Sequence, residues 1–280
     1  MIAALFGLLS ALSWGTGDFA GGLASRKVGP YRAVFMTELM GFLLVLLALP
    51  FVREPFPATH TIFWAAGAGI FSTIGLLSLF QAMQHGRISI AAPVSAVLAA
   101  IVPVIVGSFL DGLPGVLLIV AFVLALAAVA LISIEKVTEA SVPVSKKLIA
   151  FSLLSGASFG IYFVMMNRAG QESVIAPMLI GRFAAMLVTG SYLLFGRRSF
   201  HIQSGNSHLL FLSALFGIGG NVFYILAGQS GRLDITAVLS SLYPGMTVLL
   251  AWLVLKEKLQ SSQWFGILLA LVAIVLITLA

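Results

Sequence analysis

No cysteine occurs anywhere in this 280-residue chain. That excludes disulfide staples and thiolate catalysis, and leaves the compartment unread by redox chemistry. Charge is nearly as scarce. Asp, Glu, Lys and Arg together make up 9% of the residues, against about 25% in a soluble domain that must wet its whole surface. Hydrophobic residues make up 60%, so lipid has to be much of the solvent. Acidic residues are the rarer sign, and the net charge is +6. In a soluble protein that excess would suggest nucleic acid; here Lys and Arg fall between apolar runs, where they set orientation. His60, His85, His201 and His208 lie in or beside loops without metal-ligand spacing, so no metal and no cofactor is expected. The first apolar stretch has no basic segment ahead of it and is too long for a signal core, so it reads as a retained span.

What is present is a series of long apolar runs. A span takes roughly 20 largely apolar residues, and that ruler finds ten, at about 2–23, 31–52, 61–83, 88–110, 113–134, 148–168, 174–195, 209–229, 234–255 and 262–280. Shifting the chain by 145 residues lays one half over the other. AMQHGR (Ala82–Arg87) falls on AGQSGR (Ala227–Arg232), LLSALSWG (Leu8–Gly15) on LLSGASFG (Leu153–Gly160), and LALAAVALI (Leu124–Ile132) on LALVAIVLI (Leu269–Ile277). Leu and Ala matches are common in so apolar a chain, but the polar AxQxGR match is not. The expected fold is therefore all-α and integral to the membrane, with a first repeat at 1–134, a linker at 135–147 and a second repeat at 148–280. Five spans is an odd number, so the second repeat enters the bilayer inverted. That plan is characteristic of secondary transporters, whose site lies near the midplane between the halves.

Basic residues give a reading of orientation. The links after the odd-numbered spans, with the span residues bordering them, carry Arg26, Lys27, Arg32, Arg87, Lys136, Lys146, Lys147, Arg197, Arg198, Lys256 and Lys258, whereas the even-numbered links and their borders carry Arg53, Arg168 and Arg232. The positive-inside rule then places both termini outside.

Three features together resemble the EamA-type permeases of the drug/metabolite transporter superfamily: Trp14-Gly15 in the first span, the run YPGMTVLLAWLVLKEKL (Tyr243–Leu259) in the ninth, and the repeat itself. Pro244 and Glu257 match that family's proline and acidic end. The first half departs from the pattern, since Pro103 is four residues off the repeat position of Pro244 and Asp111-Gly112 only loosely echoes the acidic end. The resemblance implies a ten-span metabolite carrier in the inner or plasma membrane, and both termini in the cytoplasm, against the charge count.

Ionisable residues within spans are costly and mark function by default. Asp18 lies late in span 1, Glu38 about a third of the way into span 2 and Arg182 at similar depth in span 7. Glu38 and Arg182 are near repeat mates. They either meet the charged ends of a zwitterionic substrate or pair with each other to hold the halves together. Trp14, Ser78, Tyr162, Asn221, Ser240 and Tyr243 are the polar or aromatic mid-span residues expected to line a substrate cavity. The clusters Gly15/Gly17, Gly21-Gly22 and Gly217/Gly219-Gly220 read as surfaces of close helix packing.

Two motifs suggest enzymes. GTGD (Gly15–Asp18) matches the GxGD of intramembrane aspartyl proteases, which need a second aspartate to share a proton; Asp111 and Asp234 are both at span ends. GASFG (Gly156–Gly160) fits a serine-hydrolase elbow but lies inside an apolar span rather than between a strand and a helix. The reading is therefore a non-enzymatic secondary transporter of small, amino-acid-like metabolites, working in export by alternating access. It is expected to act as a monomer, with a small-molecule substrate and the lipid bilayer as partners and no nucleic acid. Facilitated sugar uptake and a GxGD protease are the alternatives. A reporter fused after Ala280 decides orientation: an extracytoplasmic signal upholds the charge count, a cytoplasmic one the family resemblance.

Overall fold

The computed structural model describes residues 1–52, 54, 56–84, 88–132, 146–196, 207–256 and 259–280. Eleven α-helices account for nearly all of them: α1 (Ile2–Val28), α2 (Pro30–Ala48), α3 (Thr59–Gln84), α4 (Ile88–Leu110), α5 (Val116–Ile132), α6 (Lys146–Ala169), α7 (Ile175–Phe195), α8 (Ser207–Ser230), α9 (Leu233–Ser240), α10 (Tyr243–Leu255) and α11 (Ser261–Leu279). Hydrocarbon offers backbone N–H and C=O groups no partner, and helices satisfy both internally. Among the described residues, eight segments are long and apolar enough to cross a membrane, with α9 and α10 counted as one, and α4 and α5 supply two shorter apolar stretches. Residues 133–145, most of the expected linker, lie outside the described residues; α6 begins at Lys146, two residues earlier than expected.

The ninth span is two helices rather than one. Pro244 has no N–H to give the carbonyl of Ser240 and its ring crowds that turn, with Gly245 following. The chain breaks at Ser241–Leu242 and restarts with proline in the first turn of α10. A turn with Leu242 N donating to Leu239 O (3.2 Å) carries the break. Pro103, displaced from the repeat position, leaves α4 continuous.

Inversion is visible where repeat mates meet. Helix α2 runs antiparallel to its mate α7. Tyr31 stacks on Tyr192 (4.5 Å between centroids), Phe42 meets Phe183 (5.8 Å), and beyond α2 the Glu54 carboxylate accepts from Val174 N and Ile175 N (2.9 and 3.0 Å). Helix α5 likewise opposes its mate α11, where Gln263 Nε2 donates to Ile132 O (3.2 Å). The main contacts between halves, α1 with α8 and α3 with α6, exchange under the same two-fold.

The two ends of the bundle differ. At the end where α1 begins, hereafter the near end, α4 packs on α9, with Gly107 directly against Asp234. All of α9 but Ile235 is buried. Helix α10, continuing toward the far end, has no buried residue. The ninth span is thus buried at the near end, along α9, and half-buried or exposed beyond the break, along α10.

Glycine makes the tightest crossing. A Cβ on Gly69 of α3 would land on the carbonyl of Gly181 of α7. Gly69→Ala is expected to cost about 1–3 kcal/mol, as overpacking does. Nothing lies near a Cβ on Gly22, so Gly22→Ala should be neutral or add up to about 1 kcal/mol of helix propensity. Unfolding midpoints in detergent compare the two.

Candidate functional site

Asn221, in the middle of α8, collects the centre of the molecule. Its Oδ1 accepts from Tyr162 OH of α6 (2.7 Å) and from Trp14 Nε1 of α1 (3.2 Å). With the oxygen so occupied, its amide nitrogen is left to donate elsewhere. The Trp14 indole lies flat on α8 because position 220 is glycine; a Cβ there would enter the ring. Phe163 and Tyr224 complete an aromatic cluster around Trp14, at 5.6 and 5.5 Å between centroids. Tyr224 is fully buried and donates to Phe163 O (2.7 Å).

Beside this cluster Arg182 Nη1 meets Glu38 Oε2 at 3.1 Å, with Arg182 only 6% exposed. Of the two expected roles, the structure displays mutual pairing across the halves. Glu38 lies on α2 within the span Pro30–Phe51, close to the depth the sequence count gave it. Gly41 of α2 and Gly217 of α8 leave room for the guanidinium. The pairing is incomplete: Arg182 Nε is buried without an acceptor. Arg182 Nη2 lies beside Gly217, one helical turn before Asn221 on α8, so the ion pair adjoins the aromatic cluster between the halves.

Asp18 is exposed, and its place on α1 explains why. Gly7, Ala11, Trp14, Asp18 and Gly22 form one helical stripe, buried at Gly7 and Ala11 and exposed from Asp18 onward. The stripe runs from the packed near end past the central site, and Asp18 lies on its exposed part, one helical turn beyond Trp14. Tyr243, at the start of α10, lies within electrostatic reach of it.

The structure thus brings together Trp14, Tyr162, Asn221, Glu38 and Arg182, with Asp18 one turn further along α1 and the Tyr243 carbonyl against Gly15 of the same helix. It does not bring in Ser240, whose Oγ turns to Gly7 O (3.4 Å) and seals α9 against α1. Ser78 is buried in α3 and, among the described contacts, joins no part of the cluster. Tyr224 and Phe163 belong to the site but were not among the expected residues; Tyr224 lies three residues after Asn221, on the same helical face. The glycine clusters of α1 and α8 do pack closely, except Gly22.

Neither enzyme constellation is assembled. Gly231 packs on Ala3 at the near end, beside Asp111 and Asp234. Asp18 is fifteen residues beyond Ala3, about 22 Å along α1. Ser158 is buried inside α6.

An inverted pair of five-span repeats, closed at one end around a polar site at mid-depth, defines a multi-pass membrane permease. The EamA-like transporter family model matches residues 1–134 and again 146–279, and the chain belongs to that family of drug/metabolite transporter-type permeases. No curated protein matches it. A solved structure described only as "Crystal structure of protein" shares the fold, with a TM-score of 0.79 over 99% of this chain and 96% of that one at 17% identity.

Removing one member of a buried ion pair strands the other, at about 3–5 kcal/mol. Glu38→Leu or Arg182→Leu alone should therefore lower stability by about that much. The double variant should recover most of the loss, as thermal unfolding in detergent would read.

Proposed function

We propose that the chain is a secondary transporter of small, amino-acid-like metabolites, working by alternating access and in the export direction. One copy of the chain contains both halves of the path, so the monomer is the working unit. The observation that carries the reading is the incompletely satisfied Arg182–Glu38 pair beside Asn221, Tyr162 and Trp14. The Arg182 guanidinium has donors left for a carboxylate, the Asn221 amide nitrogen can add another, and Glu38 is an acceptor for an ammonium group. The aromatic faces suit the apolar body of such a solute. Lipid supplies no counter-charge at this depth, so a zwitterion that meets both members of the pair lowers the cost of separating them.

Reconstituted in liposomes, the protein should exchange labelled amino acids, and Glu38→Gln or Arg182→Gln should reduce that flux at least tenfold. Equal flux of a neutral sugar, unchanged in both variants, would favour the sugar carrier. Cleavage of a membrane substrate abolished by Asp18→Asn, with no flux of any solute, would overturn transport altogether.

A further inference from the structure

A second polar cluster, remote from the central site, joins the halves at the near end. The Arg232 guanidinium between α8 and α9 is its hub. Nη1 donates to Asp111 O (2.8 Å) and Nη2 to Gly112 O (2.7 Å), both in the α4–α5 link of the first half. On its own half, Nε and Nη2 donate to Asp234 Oδ1 and Oδ2 (3.1 and 2.8 Å). The Asp111 carboxylate returns the contact by accepting from Leu233 N (3.2 Å), at the start of α9. Asp234 is fully buried, and its hydrogen bonds to Arg232 hold the arginine even further above its usual pKa. The guanidinium is therefore charged throughout, and these charge-assisted bonds are of the stronger kind.

The cluster sits where the bundle is closed. Gly107 of α4 meets Asp234 of α9 beneath it, and Ser240, a little over one helical turn deeper than Thr236, is wholly buried against Gly7. On the far side of the break, no residue of α10 is buried. The contacts cross between repeats whose relative movement alternating access requires.

We propose that Arg232, with Asp111 and Asp234, is the latch that seals the near end of the permeation path, made in this conformation and released when that end opens. The proposal rests on the alternating-access reading above. Five donated hydrogen bonds from one side chain to three residues on both halves make the release concerted: moving the α4–α5 link away from α9 breaks the contacts to Asp111 and Gly112 together and leaves Arg232 on Asp234. A local helix cap of α9 would need only Asp111 or Asp234, not an arginine spanning the halves.

The cysteine-free chain permits a direct test. A single reporter, Tyr243→Cys, is placed beyond buried α9, at the half-buried start of α10, and labelling by a membrane-impermeant maleimide is timed from each end, in spheroplasts and in inverted vesicles. With the latch intact, labelling from the near end should be at least tenfold slower than from the far end. Arg232→Gln should raise the near-end rate at least tenfold, and Arg232→Lys, which cannot bridge both carbonyls and a carboxylate, should fall between. Gly107→Ala keeps every charge and wedges α4 from α9, since its Cβ would stand 3.2 Å from Asp234 Cβ. It should raise the same rate, and it keeps the test open if Arg232→Gln does not fold. An unchanged near-end rate in the folded variants overturns the latch and leaves alternating access standing. Comparable labelling from both ends with the latch intact overturns alternating access itself, and the latch with it.

Discussion

Hydrocarbon offers no hydrogen bonds, and almost every feature of this molecule follows from that. A polar atom within the membrane must be met by another part of the protein or face a cavity. The hydroxyls of Ser10, Ser13 and Thr247 donate to the carbonyls of Gly220, Phe216 and Gly15, tying α1 to α8 and α10. Such bonds need backbones close together, which the glycines of α1 and α8 allow. The buried charges answer the same constraint, Glu38 against Arg182 at the centre and Asp234 against Arg232 at one end.

Scaffold and site use the repeat in opposite ways. Serines of the first and sixth helices recur at the 145-residue offset, and mates such as α2 and α7 cross on the pseudo-two-fold. The central residues do not recur. The mates of Trp14, Asn221, Tyr162, Glu38 and Arg182 are Phe159, Leu76, Gly17, Phe183 and Thr37. A symmetric scaffold gives two conformations of comparable packing, while an asymmetric lining gives a single site on the axis instead of two half-sites. Both properties suit a carrier that presents one substrate alternately to two sides.

The departure from symmetry in conformation is as informative as the symmetry of topology. Helix α9 is buried and α10 is not, although the chain breaks between them by only two residues. The break at Ser241–Leu242 therefore falls between a buried and an unburied part of the ninth span. Asp18 and Gly22 are exposed on the same stripe of α1 on which Gly7 and Ala11 are buried.

Hydropathy and the constant offset were enough to read ten spans, two repeats and their inversion, since burial in lipid imposes length and an odd span count imposes topology. They were also enough to single out Trp14, Tyr162, Asn221, Glu38 and Arg182, because a polar group deep in a span is conspicuous in any chain so poor in charge. Which of those residues meet was decided by the tertiary structure: Ser240 looks as suitable as Asn221 by depth, yet the helix break turns it onto the α1 backbone. The roles of Arg232, Asp111 and Asp234 were hidden for a related reason. At the end of a span charge is the ordinary condition, and only the packing of α4 against α9 makes one such arginine a bond between the halves.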